Sequence, residues 1–548
     1  MVALALAIVG CNDYLDKLPD DRATVVEADQ QKTEEKIAYL LVNAYPTHSV
    51  DYMMEQSSDN VVDNGKVYSS STNQYFMYRW EPIEATGNDD PYSVWSSHYM
   101  AVAVANEALD AIEAAGSPAS LNGEKAEALL CRAWAVFRLS NAFCMAYDPT
   151  KADQYLGLPY PKVSGVEVNS RGTLAELYAN IDADIEAALP LLDDSHLKVP
   201  KYHFNTKAAY AFAARFNLYY HRYDKAIEYA SQVLGGNPAG VLRDWEQYTK
   251  LAGSEDICNA YMRSSENCNL LIIPSYSLLG RAPFSYDRYA TNYDIVAYEL
   301  VWPKLFWGSG STNNTLYMAH MLYGSNQGVA FPKLYEQFEI TDKVNQTGYP
   351  HIIDIVLTTD ETLLVRAESY VLRNQPGDID LALADMNLWV GNHCYAKYGN
   401  VTRPILDEAL VDSTFDAQHE HMHYMDTVPA TARSRSICKF EHPQGFYVDP
   451  DTNSTQHCFV QCILHFRRLE TWQQGLRFQD LKRYGIVFSH NIDGEKALIF
   501  KSGDPRGAIQ LPSEVIHAGL EPNQYNLEEE VVPEPTDEAK SARSRRVK

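Results

Sequence analysis

From Thr173 to Leu192 apolar residues recur at Leu174, Leu177, Ile181, Ile185 and Leu189, a spacing that predicts an amphipathic helix. The stretch from Asn205 to Leu234 predicts further helix, with small Ala208, Ala209, Ala213 and Ala214 on its faces. Its run Ala214-Arg215 to Leu218 continues through Tyr223 and Ala226 to Ala230. Small residues at fixed spacing let two helices approach closely, and the Tyr and Leu side chains between them fill the groove. Echoes of the same pattern occur from Glu124 to Tyr147 and from Glu361 to Trp389, the latter with a second helix start at Asp378. Near the C-terminus, Leu469, Trp472, Leu476 and Leu481 give one amphipathic helix from Phe466 to Tyr484, with opposite charges at Arg467 and Glu470.

The helical pairs resemble tetratricopeptide repeats, but their intervals are irregular, so they do not form one continuous solenoid. Long stretches without helical or alternating period separate them. One runs from Ser57 to Trp95 and carries Tyr68, Tyr75, Phe76, Tyr78, Trp80, Tyr92 and Trp95 among Ser, Asn, Asp and Gly. Another runs from Pro274 to Pro332 with Tyr286, Tyr289, Tyr293, Tyr298, Trp302, Phe306, Trp307, Tyr317 and Tyr323. Irregular segments of this length inside a compact chain usually serve a function. Rings held among amides, carboxylates and hydroxyls suit stacking on sugar faces; burial as core is the competing reading for each ring. The predicted fold class is therefore mainly α: a scaffold of helical pairs with aromatic-rich loops and few short strands.

The first eleven residues, Met1 to Cys11, form a short apolar run ending in Ile8-Val9-Gly10-Cys11, then the chain turns polar at Asn12-Asp13. Such a run is too short to span a bilayer and fits the core of a secretion signal. Its end resembles the lipobox of bacterial lipoproteins, which implies acylation at Cys11 and several acyl chains as a firm membrane anchor. The net charge of −26 over 548 residues excludes nucleic acid as a natural partner. The remaining cysteines, Cys131, Cys144, Cys258, Cys268, Cys394, Cys438, Cys458 and Cys462, form no regular framework and read as buried thiols.

Phe466-Arg467-Arg468-Leu469-Glu470 followed by Gly475-Leu476-Arg477 and Asp480-Leu481-Lys482-Arg483 is similar to an element of the SusD/RagB-like outer-membrane lipoproteins. The segment from Ala508 to Gln524, with Pro512, Glu514 and Asn523, looks like their ending, and Cys11-Asn12-Asp13-Tyr14-Leu15-Asp16 like their mature start, with a first helix near Thr33 to Tyr45. The resemblance implies one helical domain over 12–527 with inserts near 57–95, 274–332 and 411–458, after a lipoprotein signal over 1–11. It also implies a lid on a SusC-like TonB-dependent transporter, which captures oligosaccharides, or peptides, and passes them on without chemistry or cofactor. Lipid anchoring would then place it in the outer membrane, exposed at the cell surface. From composition and the family's rough site location, Trp80, Tyr286, Trp302 and Trp307 would stack on ligand while Asp59 and Arg79 hydrogen-bond it.

Two enzymatic readings compete. His419-Glu420-His421-Met422-His423 is a literal HExxH, which on a helix places His419 and His423 one turn apart with Glu420 as base, but no third ligand follows at metzincin spacing. A glycoside hydrolase needs two placed carboxylates, and 72 acidic residues single out no pair. Asp449-x-Asp451-x-Asn453 starts like a calcium loop but lacks its turn Gly and closing Glu. The tail over 528–548 has the composition of a disordered segment.

Overall fold

The computed structural model describes residues 30–165, 170–282, 285, 287–415, 448–451, 453–495 and 497–525. Its main helices are α1 (Gln30–Val42), α2 (Asp51–Gln56), α3 (Thr72–Arg79), α4 (Pro91–Ala114), α5 (Asn122–Phe143), α6 (Leu174–Ala188), α7 (Thr206–Tyr219), α8 (Tyr223–Leu234), α9 (Thr359–Arg373), α10 (Asp378–His393), α11 (Glu408–Phe415), α12 (Thr455–Glu470) and α13 (Leu476–Arg483), with a further helix over Ser254–Tyr261 and several short turns between them. The strands are few. The short β1 (Val62–Asp63) comes first, then β2 (Asn269–Ser275), β3 (Tyr289–Ala290), β4 (Gln337–Asp342) and β5 (Thr347–Thr358). A C-terminal hairpin of β6 (Phe488–His490) and β7 (Leu498–Phe500) follows. β2, β5 and β4 form an antiparallel sheet in that order, with β5 central.

Local chemistry fixes the helical pairs. Thr173 caps α6 in a capping box: its hydroxyl accepts the Glu176 N–H at 3.1 Å and the Glu176 carboxylate accepts the Thr173 N–H at 2.9 Å. Leu174, Leu177, Ile181 and Ile185 are all buried, as their period requires. Asn205 caps α7, whose five alanines are buried in a helix that packs on α8 and α9. His221 takes a left-handed φ of 62° and turns the chain from α7 into α8. In succession α5 packs on α4 and α6, α7 on α8, α8 on α9, and α9 on α10 and α12. The cysteines among the described residues are buried.

The C-terminal helix differs from its sequence reading. It is two helices, α12 and α13, broken where Gln473 and Gly475 both take positive φ. A Cβ on Gly475 would lie 2.8 Å from Asp51 Cα, so the break lets α2 approach. Nor do Arg467 and Glu470 form a solvated pair. Both are buried: Arg467 meets Asp480 at 3.1 Å, Glu368 at 3.3 Å and Glu361 at 3.5 Å, while Glu470 meets His393 at 2.9 Å. Arg215 on α7 and Arg483 on α13 complete the network through Glu361 and Glu368, at 2.9 and 2.8 Å. Such charges persist inside a core only when each is paired and hydrogen-bonded.

α12 also begins inside the stretch read as an insert over 411–458, and α11 precedes it. The HExxH at 419–423, Cys438, Cys11 and the tail over 528–548 lie outside the described residues. Among the described residues no helix is long and apolar enough to cross a membrane.

Candidate functional site

The two aromatic stretches meet. β1 pairs antiparallel with β3, Val62 opposite Ala290 and Asp63 opposite Tyr289. The Arg288 guanidinium donates to both Asp63 carboxylate oxygens, at 2.8 and 2.6 Å. Asn64 Nδ2 donates to the carbonyls of Asp287 and Gln327 at 3.2 and 2.7 Å, and Gln74 Nε2 to the Asp287 carboxylate at 2.8 Å. The C-terminal hairpin closes a third side: Tyr78 stacks between Tyr289 at 4.5 Å and His490 at 4.0 Å, and the Asp493 N–H donates to Asp63 at 3.0 Å. Three segments distant in sequence thus build one loop-borne face on the helical scaffold.

The side chains expected to touch ligand divide by burial. Trp80 caps α3 in a left-handed conformation, is 3% exposed, donates its indole N–H to Ser57 O at 2.9 Å and stacks on His490 at 4.4 Å. Trp307 is 0% exposed, packed against Phe306, Phe466 and Trp389. Neither ring offers a face to a ligand at the surface. Asp59 is 0% exposed as well; its carboxylate takes Nε and Nη2 of Arg477 at 2.8 and 2.7 Å. These three are core groups: the C-terminal hairpin covers Trp80, Arg477 of α13 holds Asp59, and α10 and α12 pack on Trp307.

Arg79 and Trp302 stand at the face. Arg79 lies over the Tyr75 ring at 5.0 Å and is gripped by Glu81 and Glu495, each at 2.8 Å. Trp302 is half-buried, donates its indole N–H to Ala319 O at 3.2 Å and meets Tyr293 edge-to-face at 5.6 Å. Tyr286 lies outside the described residues. Among the described residues of the 274–332 stretch the most exposed rings are Tyr293, at 46%, and Tyr298, at 42%. They sit where a turn capped by Asn292 (Oδ1 accepts the Ile295 N–H at 3.1 Å) widens into a π turn over Val296–Leu300. π turns recur at functional sites. Both tyrosines stand in the aromatic stretch, but no periodicity in the sequence sets them apart from their buried neighbours.

Beneath this face Glu299 is wholly buried, and burial pushes its carboxyl up to about 7 although Arg468 lies 3.5 Å away. Other constellations are structural. Asp360, His393 and Glu470 offer ligand atoms within 4.8 Å of one another. His393 Nδ1 hydrogen-bonds Trp389 O and Nε2 hydrogen-bonds Glu470, both at 2.9 Å, within this wholly buried cluster. The carboxylates of Asp449 and Asp451 accept the backbone N–H groups of Asp451 and Asn453, at 2.9 and 3.0 Å, which makes a turn rather than a calcium cradle. A cleft of about 520 Å³ lined by His221, Arg222, Tyr223, Leu372 and Arg373 opens at the turn between α7 and α8 and shares no lining residue with the aromatic face.

Residues 13–218 match the sequence profile of a SusD-like family described as "Starch-binding associating with outer membrane". No curated protein matches the sequence at a significant level. Among solved structures, the fold is similar to a SusD superfamily protein from Bacteroides vulgatus, with 16% identity, 91% of this chain and 99% of that chain covered, and a TM-score of 0.60. A SusD superfamily protein from Bacteroides thetaiotaomicron aligns at 17% identity over 92% and 99% of the two chains, with a TM-score of 0.59. A SusD-like carbohydrate binding protein from Bacteroides vulgatus aligns at 16% identity over 86% and 89%, with a TM-score of 0.52. Residues 13–218 thus carry the sequence pattern of a SusD-like family, and the chain is similar in fold to SusD superfamily proteins along most of its length.

Proposed function

We propose that this protein is a carbohydrate-binding protein of the outer membrane, held there by a lipid on Cys11, and that it hands oligosaccharides to a SusC-like TonB-dependent transporter. The observation that carries the reading is the convergence of the two aromatic inserts into one face, with Tyr293 and Tyr298 exposed and Trp302 half-buried beside Tyr293. Exposed rings on a loop surface supply flat apolar contact, and the amides and carboxylates around them supply hydrogen bonds to hydroxyls. The family description, with its starch binding and outer-membrane association, points the same way. Binding rather than hydrolysis fits the carboxylates of this face: Glu81 and Glu495 both grip Arg79, and Asp63 grips Arg288, which leaves them committed to positioning guanidinium groups.

Calorimetric titration of the protein without its first eleven residues, against plant, host and microbial glycans and mixed peptides, tests the reading. Saturable glycan binding without turnover, weakened about tenfold or more in Tyr293→Ala or Trp302→Ala, supports it. Binding confined to peptides, or cleavage of the glycan, would replace it. The anchor and the partner have their own checks: Cys11→Ser should release the protein from membranes, and detergent extracts should yield it together with a β-barrel transporter.

A further inference from the structure

The turn Tyr317–His320 holds aromatic rings on both of its sides. On one side Ala319 O accepts the indole N–H of Trp302 at 3.2 Å. On the other, His320 lies 3.9 Å from Tyr398, Tyr317 lies 4.0 Å from Tyr395, and Tyr395 and Tyr398 are 5.2 Å apart. The backbone sets this second group. Tyr395 N–H donates to Thr315 O at 2.7 Å, Leu316 bridges to Cys394, and Lys397–Tyr398 pairs with Val401–Thr402 in a tight hairpin. Gly399 at its tip has φ +56°, and a Cβ there would lie 2.8 Å from both Thr312 O and Asn313 Oδ1, so the tip is seated against that loop. His320 Nε2 donates to Asn314 O at 2.8 Å, and burial holds the imidazole below its ordinary value, which keeps the ring neutral near pH 7.

Three of these rings differ from core aromatics. Tyr317 is buried and closes the base of the group, whereas His320, Tyr395 and Tyr398 are half-buried. Tyr398 stands outside the hydrophobic core, and its hydroxyl makes no hydrogen bond to a described residue. The rings therefore present partial faces to solvent on a rigid support that also fixes Trp302.

We propose that His320, Tyr395 and Tyr398 form a second stacking subsite for a neutral oligosaccharide chain, so that the protein favours extended chains over short ones. This rests on the carbohydrate reading of the face around Trp302 and Tyr293. A chain already held at Trp302 reaches the second group without a new association step, so each added contact appears as affinity. Glu246 lies close enough to act on both Tyr317 and Tyr395, a negative charge that favours uncharged sugars over uronic or sulfated ones. Lys397, the charged side chain in the hairpin strand, neighbours Tyr398 in sequence and so points to the opposite face of that strand.

The test titrates malto-, xylo- and manno-oligosaccharides graded by length into wild type, Trp302→Ala, Tyr398→Ala and Tyr398→Phe, with a thermal melt of each protein. The inference expects wild-type affinity to rise with chain length. Tyr398→Ala should bind the shortest ligand unchanged and lose about tenfold at the long end, with Tyr398→Phe restoring it. Equal affinity of Tyr398→Ala and wild type at every length overturns the subsite and leaves the Trp302 face intact. A uniform loss at all lengths, or a lowered melting temperature in step with the loss, also overturns it, because the ring would then be supporting structure. A wild type that binds none of the three series, nor any glycan of the wider panel, removes the carbohydrate reading and the subsite together.

Discussion

Asp59→Ala discriminates between a carboxylate that touches ligand and one that holds the loops to the scaffold. In the fold, Asp59 receives two hydrogen bonds from Arg477, at 2.8 and 2.7 Å, and its backbone carbonyl receives one from Arg468 at 2.9 Å. Asp59 has no solvent exposure and the Arg477 side chain has 7%, so solvent screening is slight. Removing the carboxylate leaves the guanidinium buried without its counter-charge, at a cost of about 3–5 kcal/mol. For a folded body of roughly 450 residues the unfolding entropy is about 1 kcal/mol/K, so the melting temperature should fall by about 3–5 °C. Calorimetric melting reads this directly. The double variant Asp59→Leu with Arg477→Met should recover most of the loss, because well-packed apolar groups replace a buried pair at little net cost. An unchanged melting temperature together with lost glycan binding would refute the reasoning and return Asp59 to the ligand site.

Three more outcomes follow from the same geometry. Trp307→Ala should cost about 3–5 kcal/mol in stability and leave glycan affinity intact when measured well below the melting point. Trp307→Phe should cost less, since it also removes an indole N–H that has no partner among the described residues. Glu299 is pushed from 4.5 to about 7 by burial, so between those values the folded protein keeps a proton that the unfolded chain has released. Its stabilisation is complete below about pH 4.5 and is lost as pH rises through about 7. The urea midpoint should fall over that window, and a slope unchanged in Glu299→Gln would contradict the assignment. Gly475→Ala combines a φ of +69° with a Cβ 2.8 Å from Asp51 Cα, and should lower the melting temperature more than Ala at an ordinary helix position.

The helical pairs were legible because periodicity reports one-sided burial. Leu174, Leu177, Ile181 and Ile185 fall on one face, and the alanines from Ala208 to Ala214 mark where helices touch. Periodicity fails where a helix is buried all round. Arg467 and Glu470 look like a surface pair in sequence because their partners, Glu361, Glu368 and His393, come from α9 and α10 far upstream. The break at Gln473 is equally invisible locally, since glutamine carries no preference for a left-handed backbone. In the aromatic inserts composition counts rings but does not orient them. Trp80 is covered by His490, some four hundred residues downstream, whereas Tyr293 stays open on a capped turn. The sequence stretches that form the face could be read; which rings point outward depends on contacts that only the fold supplies.

Arg467 and Arg468 show how the face is carried. Adjacent residues on a helix point about 100° apart, so this pair serves two sides of α12. Arg467 takes the scaffold carboxylates of α9 and α13, while Arg468 donates to Asn60 Oδ1 at 2.8 Å and Asp59 O at 2.9 Å and meets Glu299 at 3.5 Å. One dipeptide thus joins the helical scaffold to both aromatic inserts. The Arg-rich element that resembles the SusD/RagB-like proteins is a buried joint, and the exposed rings Tyr293 and Tyr298 lie where the sequence shows no motif. A rigid joint beneath an unpatterned loop surface lets the loops change what they bind without disturbing the helices that hold them.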